Sequence, residues 1–162
     1  YLGSVDTKNI TLKILKVLIN PEFRIFKFNV LIGKNNIHYN KIRKLTQKSL
    51  NINCFQKNIV DYKIFLKKID NVICAGGVFM YEVLGGGFKP FTIAQNKFQD
   101  RNIRPLLKKK LVSFVDHKKI NRVKLLSNFL KNSNFYETEG KMRQIKRFTF
   151  KNVTKNIIKI IN

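Results

Sequence analysis

"NVICAGGVFMYEVLGGG" (71–87) decides how the rest of the chain is read. Its first five residues form an apolar run with a polar side chain only at the margin. That is the pattern of a short strand covered on both faces, and so of a parallel sheet. Two adjacent glycines follow, and then a hydrophobic turn of helix carrying a single carboxylate, Glu82. A glycine pair between a strand and a helix lets the backbone approach a bulky anion. The helix start supplies free N–H groups and the positive end of its dipole. The stretch therefore reads as a nucleotide-diphosphate site at a strand-to-helix junction.

Outward from this stretch, short β-like runs alternate with helical ones. Upstream, the pattern predicts a helix over 9–19, a strand over 23–33, a helix over 38–50, a strand over 51–55 and a helix over 58–70. Downstream it predicts a helix at 78–85, strands at 89–94 and 111–115, and helices over 97–110 and 118–132. Pro105 implies a kink or a late start in the helix over 97–110. A last amphipathic helix is expected in the tail, 148–162. Strands alternating with helices indicate an α/β fold, a Rossmann-like parallel sheet with helices on both faces. Such sheets bind ligands at the carboxyl ends of their strands, where the connections reverse direction. The whole chain, 1–162, reads as one domain. Tyr1 and Leu2 before Gly3 look like the stub of a first strand, and a start at tyrosine instead of methionine suggests a fragment.

Composition narrows the function classes. A hydrophobic fraction of 44% supports a folded globule, and no apolar run approaches the roughly 18 residues of a membrane helix. The net charge of +24 points to nucleic acid, an anionic surface or another polyanion. Against that, Lys, Asn, Ile and Phe are abundant throughout, and the basic residues are spread along the chain. The bias thus reads first as compositional, and no specific nucleic acid partner is expected. Cys54 and Cys74 both lie in strand-like runs and read as buried thiols of a reducing cytoplasm. His38 and His117 have no metal-like spacing and read as surface or helix-start residues. No metal site, cofactor or complete catalytic set can be assembled.

Two glycine-bearing loops stand at strand-to-helix junctions, "LGSVD" (2–6) and "CAGG" (74–77). Glu82, five residues past Gly77, could accept hydrogen bonds from the vicinal hydroxyls of a ribose. It could equally be a solvent-facing helix residue. "AQNKFQD" (94–100) offers amides suited to a nucleotide or sugar, or a helix cap at Asn96.

These motifs, in order, resemble one family. "GSVDTKNITLKILKVL" (3–18) resembles the "GGSDPxNLTxKxLxxL" opening of the C-terminal half of the pseudaminic-acid pathway UDP-sugar hydrolases and of related spore-coat polysaccharide proteins. "VLIGKNNIHYNKIRKL" (30–45) is similar to their "VxxGxxNxxxxxI" strand and helix. "IDNVICAGGVFMYEVLGGGFKPFTIAQNKFQDRNI" (69–103) is similar to their "aDlaIsAgGsTxyElxxlGxPxixixxxxNQxxNa". "YETEGKMRQI" (136–145) resembles a "iDGkGxxRI" segment near their C-terminus.

The resemblance implies the C-terminal half of a GT-B architecture, which grips the UDP of a nucleotide sugar. Gly76, Gly77 and Val78 would border the diphosphate, and Glu82 would hold the ribose. Gly3, Ser4 and Asp6 would form the facing loop, with Asn96 near the sugar. The expected partners are a UDP-sugar and an N-terminal domain that would carry the catalytic histidine. The setting implied is nonulosonic acid or surface polysaccharide synthesis in the cytoplasm, with peripheral attachment to the inner membrane left open. A glycosyltransferase using a UDP-sugar donor is the near alternative. A degenerate basic domain that binds a polyanion or a protein is the alternative of another class. Departures from the family pattern fall at Ser4, Val5, Val78, Phe79 and Lys97, and one extra residue lies between Glu82 and Pro90. Val78 and Phe79 stand in place of hydroxyl donors, each worth roughly 1 kcal/mol where water is excluded.

Overall fold

The computed structural model describes residues 1–56, 66, 68–116, 118 and 123–132. Most of the helix expected over 58–70, the tail helix, the 136–145 segment and His117 lie outside the described residues. Within them the elements alternate as the pattern implies. In order they are α1 (Ile10–Leu18), β1 (Phe28–Ile32), α2 (Tyr39–Thr46), β2 (Ile52–Gln56), β3 (Ile73–Ala75), α3 (Val78–Gly85), β4 (Phe91–Ala94), α4 (Lys97–Lys108), β5 (Ser113–Asp116) and α5 (Val123–Asn132).

All strand pairs among the described residues are parallel. β1 pairs with β2 from Phe28 opposite Ile52 to Ile32 opposite Gln56, and β4 lies between β3 and β5. Tyr1 and Leu2 run between the two ladders. The Tyr1 amino group donates to the Ile73 carbonyl at 2.9 Å, and the Ala75 N–H donates to the Tyr1 carbonyl at 3.3 Å. One residue bonded to both neighbours of its partner is the parallel pattern. On the other side, a Cβ on Gly33, just past β1, would lie 2.3 Å from the Ser4 Cα. The spatial order is thus β2, β1, Tyr1–Leu2, β3, β4, β5, a doubly wound arrangement with helices on both faces.

Alternation along the strands splits the core in two. On one face Leu2, Ile32, Ile52, Ala75, Ile93 and Val115 meet α1, α2 and α5 through Ile10, Leu15, Ile42 and Leu126. On the other, Cys74 and Ala94 meet α3 and α4 through Met80, Val83, Ile103 and Leu106. The four residues of β4 are all buried, as a central strand requires. Both cysteines are free thiols, Cys74 buried and Cys54 half-buried. Among the described residues no helix is long and apolar enough to cross a membrane.

Several elements differ in their bounds from the sequence expectation, and three of them have a local cause or bear on a stated alternative. β1 starts at Phe28, because Pro21 opens a 3-10 turn over Pro21–Phe23 that buries Phe23 before the strand can begin. α2 stops at Thr46, whose hydroxyl turns back onto the Arg43 carbonyl at 3.1 Å. α4 starts at Lys97 and runs through Pro105, so the late start does not occur.

The closeness of Gly33 to Ser4 yields a test. Gly33→Ala forces a methyl into backbone atoms that no rotamer change can relieve. We expect it to lower unfolding free energy by about 1–3 kcal/mol, read by urea denaturation.

Candidate functional site

The order of strands reverses between Tyr1–Leu2 and β3, so the chain leaves these neighbours in opposite directions. The crevice beyond their carboxyl ends is the switch point of the sheet. Both glycine loops flank it, 3–6 after the first stub and 76–77 after β3. Gly33 and the Gln95–Asn96 pair stand beside them at the ends of β1 and β4.

The first loop is tightly coiled. Gly3, Asp6 and Asn9 all have positive φ, at 96°, 46° and 52°. Glycine suits the first of these, and Asp and Asn tolerate the other two better than most residues. Asp6 is buried, and its two carboxylate oxygens accept from the N–H groups of Ile10 at 2.9 Å and Thr11 at 2.8 Å. It thereby caps α1 and ties the loop to that helix. Its negative charge occupies the helix end that an anion would otherwise seek. Ser4 is exposed, with its backbone against Gly33.

The second loop is built differently. Gly76 is buried, and a Cβ there would meet the Ile103 side chain at 2.6 Å and the Gln99 carbonyl at 2.7 Å. Its glycine is required by close packing of α4. The Gly76 carbonyl also accepts from the Asn102 side chain at 3.1 Å. Gly77 is the N-cap of α3, and a Cβ on it would stand in open space. No side chain caps α3, and its first turn holds no acidic residue. The start of α3 is therefore where the crevice can accept negative charge. Val78, its first residue, is 76% exposed.

Glu82 lies one turn further, on the same side of α3 as Val78 and Phe79. One carboxylate oxygen is buried without a hydrogen-bond partner. Burial pushes its carboxyl above the ordinary value of 4.5. The Tyr1 phenol is also raised, by burial first and then by the Glu82 charge, so the two groups are neighbours. Phe79 turns its edge to the Tyr1 ring at 5.3 Å between centroids.

Asn96 is exposed and accepts from the Gln99 N–H at 2.9 Å, which makes it the α4 cap. Beside it Gln95 is buried, and its amide donates to the Leu2 carbonyl across β3. The Gln99 amide oxygen in turn accepts from the Gln95 N–H at 2.9 Å. Exposed Lys8 and Lys34 stand on the loops at this end of the sheet, and exposed Lys97 is the first residue of α4.

The chain matches no family model, no curated protein and no solved structure. The assignment of the crevice consequently rests on its own geometry. That geometry brings the ends of both glycine loops, α3 and Asn96 to one edge of the sheet. Gln95 and Gly33 are added to the residues read from sequence. Their signal was present in the amide-rich "AQN" and in a glycine closing a strand, but their partners lie far along the chain.

Two outcomes follow. Asp6→Ala leaves two N–H groups at the start of α1 without acceptors and should cost about 0.5–2 kcal/mol, measured by chemical unfolding. For Glu82 the raised carboxyl means that the fold holds the proton more tightly than the unfolded chain does. Its contribution is full below about pH 4.5 and is lost as pH rises through the raised value. Glu82→Gln should therefore be more stable than the parent at pH 7, with the gain vanishing in acid, as unfolding curves at pH 4 and 7 will test.

Proposed function

We propose that this chain is the C-terminal, UDP-binding half of a UDP-sugar hydrolase of GT-B architecture, acting in nonulosonic acid or surface polysaccharide synthesis. The observation that carries this reading is the start of α3. It is uncapped and preceded by a glycine open to space, and it stands at the switch point opposite a second glycine loop. Backbone N–H groups there suit a diphosphate without needing the hydroxyl donors that Val78 and Phe79 replace. Glu82, one turn on, offers a buried acceptor to the hydroxyls of the adjoining ribose. Lys34 and Lys97 supply positive charge to the phosphates, and Asn96 stands where the sugar would begin.

Exposed Val78 and Phe98, 76% and 70% accessible, form an apolar rim suited to a second domain facing the crevice. The attacking water and its base would come from that domain. A glycosyltransferase uses the same grip on UDP and differs in the acceptor brought to the sugar.

The charge of +24 favours one other reading, a basic domain that holds a polyanion. Calorimetric titration with UDP separates the two. UDP binding that weakens about tenfold or more in Glu82→Ala, about 1.4 kcal/mol, supports the nucleotide site. No heat with UDP, together with salt-sensitive and sequence-blind binding of RNA, overturns it in favour of the polyanion.

A further inference from the structure

Exposed charge is distributed unevenly over the molecule. In a parallel sheet the turns that lead into the strands share one end, the amino end, opposite the crevice. Each of these turns carries an exposed cation: Arg24 before β1, Lys48 before β2, Lys68 before β3, Lys89 before β4 and Lys110 before β5. Lys27 and Lys108 stand beside them. Among the described residues, the exposed carboxylates at this end are Glu22 and Asp70, whereas Asp6, Asp100 and Asp116 lie at the crevice end. A helix dipole accounts for a lysine within a last turn, such as Lys16, but not for Lys68 and Lys89 in the connections.

The same end presents aliphatic tips. Ile25 is 79% and Leu50 107% exposed, and Ile19 at the close of α1 is 40% exposed. Ile25 and Leu50 stand on adjoining turns that Asn51 ties together. The Asn51 side chain donates to the carbonyls of Phe23 and Phe26 at 3.0 and 3.1 Å, and its own carbonyl accepts from the Phe28 N–H at 2.8 Å. The Ser49 hydroxyl donates to the Asn51 amide oxygen at 2.7 Å. Both tips are thus held on a fixed base with their side chains in solvent. Aliphatic tips give a nucleic-acid base no ring to stack on. Ringed by cations, they have the makeup of a surface that enters the headgroup layer of a bilayer.

We infer that the amino end of the sheet docks on a bilayer rich in anionic phospholipid. Its cations meet the lipid phosphates, and Ile25 and Leu50 reach past them to the acyl boundary. That orientation turns the crevice away from the bilayer and into water, so the inference is independent of any ligand there.

The full chain is sedimented, without added UDP, with vesicles of phosphatidylcholine alone and with vesicles containing about one-third phosphatidylglycerol. It should bind the second at least about tenfold more tightly, and added salt should release it. Ile25→Ser with Leu50→Ser, both at exposed positions, should weaken binding about tenfold. Lys27→Gln with Lys48→Gln should weaken it about as much. Lys8→Gln with Lys118→Gln removes equal charge at the crevice end and should change binding less than about twofold. The chain has no tryptophan, so Leu50→Trp supplies a single reporter whose emission should shift to the blue on phosphatidylglycerol vesicles. Equal binding to both vesicles, no binding to either, or equal losses in the two lysine pairs overturns the inference. So does an unshifted Leu50→Trp emission or undiminished binding by the serine variant. Salt-sensitive uptake of RNA alongside either of those results assigns the basic end to nucleic acid instead.

Discussion

Hydrogen bonds tie Tyr1 and Leu2 to the β3–β5 ladder, the Ser4 backbone lies against Gly33 at the end of β1, and the geometry of the crevice depends on both. Ile73 and Ala75 hold Tyr1 through the main chain, and the Gln95 amide reaches over β3 to the Leu2 carbonyl. These bonds set the height of Gly3 relative to Gly77. Without them, the loop after the stub and the loop after β3 would belong to separate sheets. Water cannot substitute cheaply, because Leu2 and Gln95 are buried and an unpaired amide there loses its solvation without return.

The helix ends show how one sheet edge distributes charge. Asp6 closes the start of α1 and Asn96 closes the start of α4, while α3 between them is left open. The dipole of an uncapped helix is satisfied by water or by an anion. Exposed Lys8, Lys34 and Lys97 lie at the same end of the sheet. The asymmetry arises from two side chains, and it leaves one of the three helix starts without a cap.

Much of this was legible in the sequence, for local reasons. α3 occupies Val78–Gly85 as expected, because Gly77 before it and Gly86 after it punctuate the helix. The parallel sheet followed from the apolar runs 71–75 and 89–94, and the β3 and β4 residues are indeed covered on both faces. What stayed hidden depends on partners distant in the chain. Gly76 reads as an anion loop, yet Ile103 on α4 is the reason it has no side chain. Asp6 reads as a ligand, yet its oxygens turn inward to α1 because the loop is left-handed at that residue. Gln95 looks like any loop amide, and only the crossing of β3 brings it to Leu2. Pro105 shows the opposite failure. A local rule against proline inside a helix yields to the burial of Ile103 and Leu106 on either side of it.

Cys74 sits in the middle of β3, fully enclosed, with burial pushing its thiol up to about 12. A thiol so placed is neither exposed nor ionised at neutral pH, so electrophiles can reach it only when the sheet itself parts. Cys54, half-buried on β2, lies nearer to solvent. The molecule therefore contains its own pair of chronometers. The faster reports breathing at the flank, and the slower reports rupture of the centre.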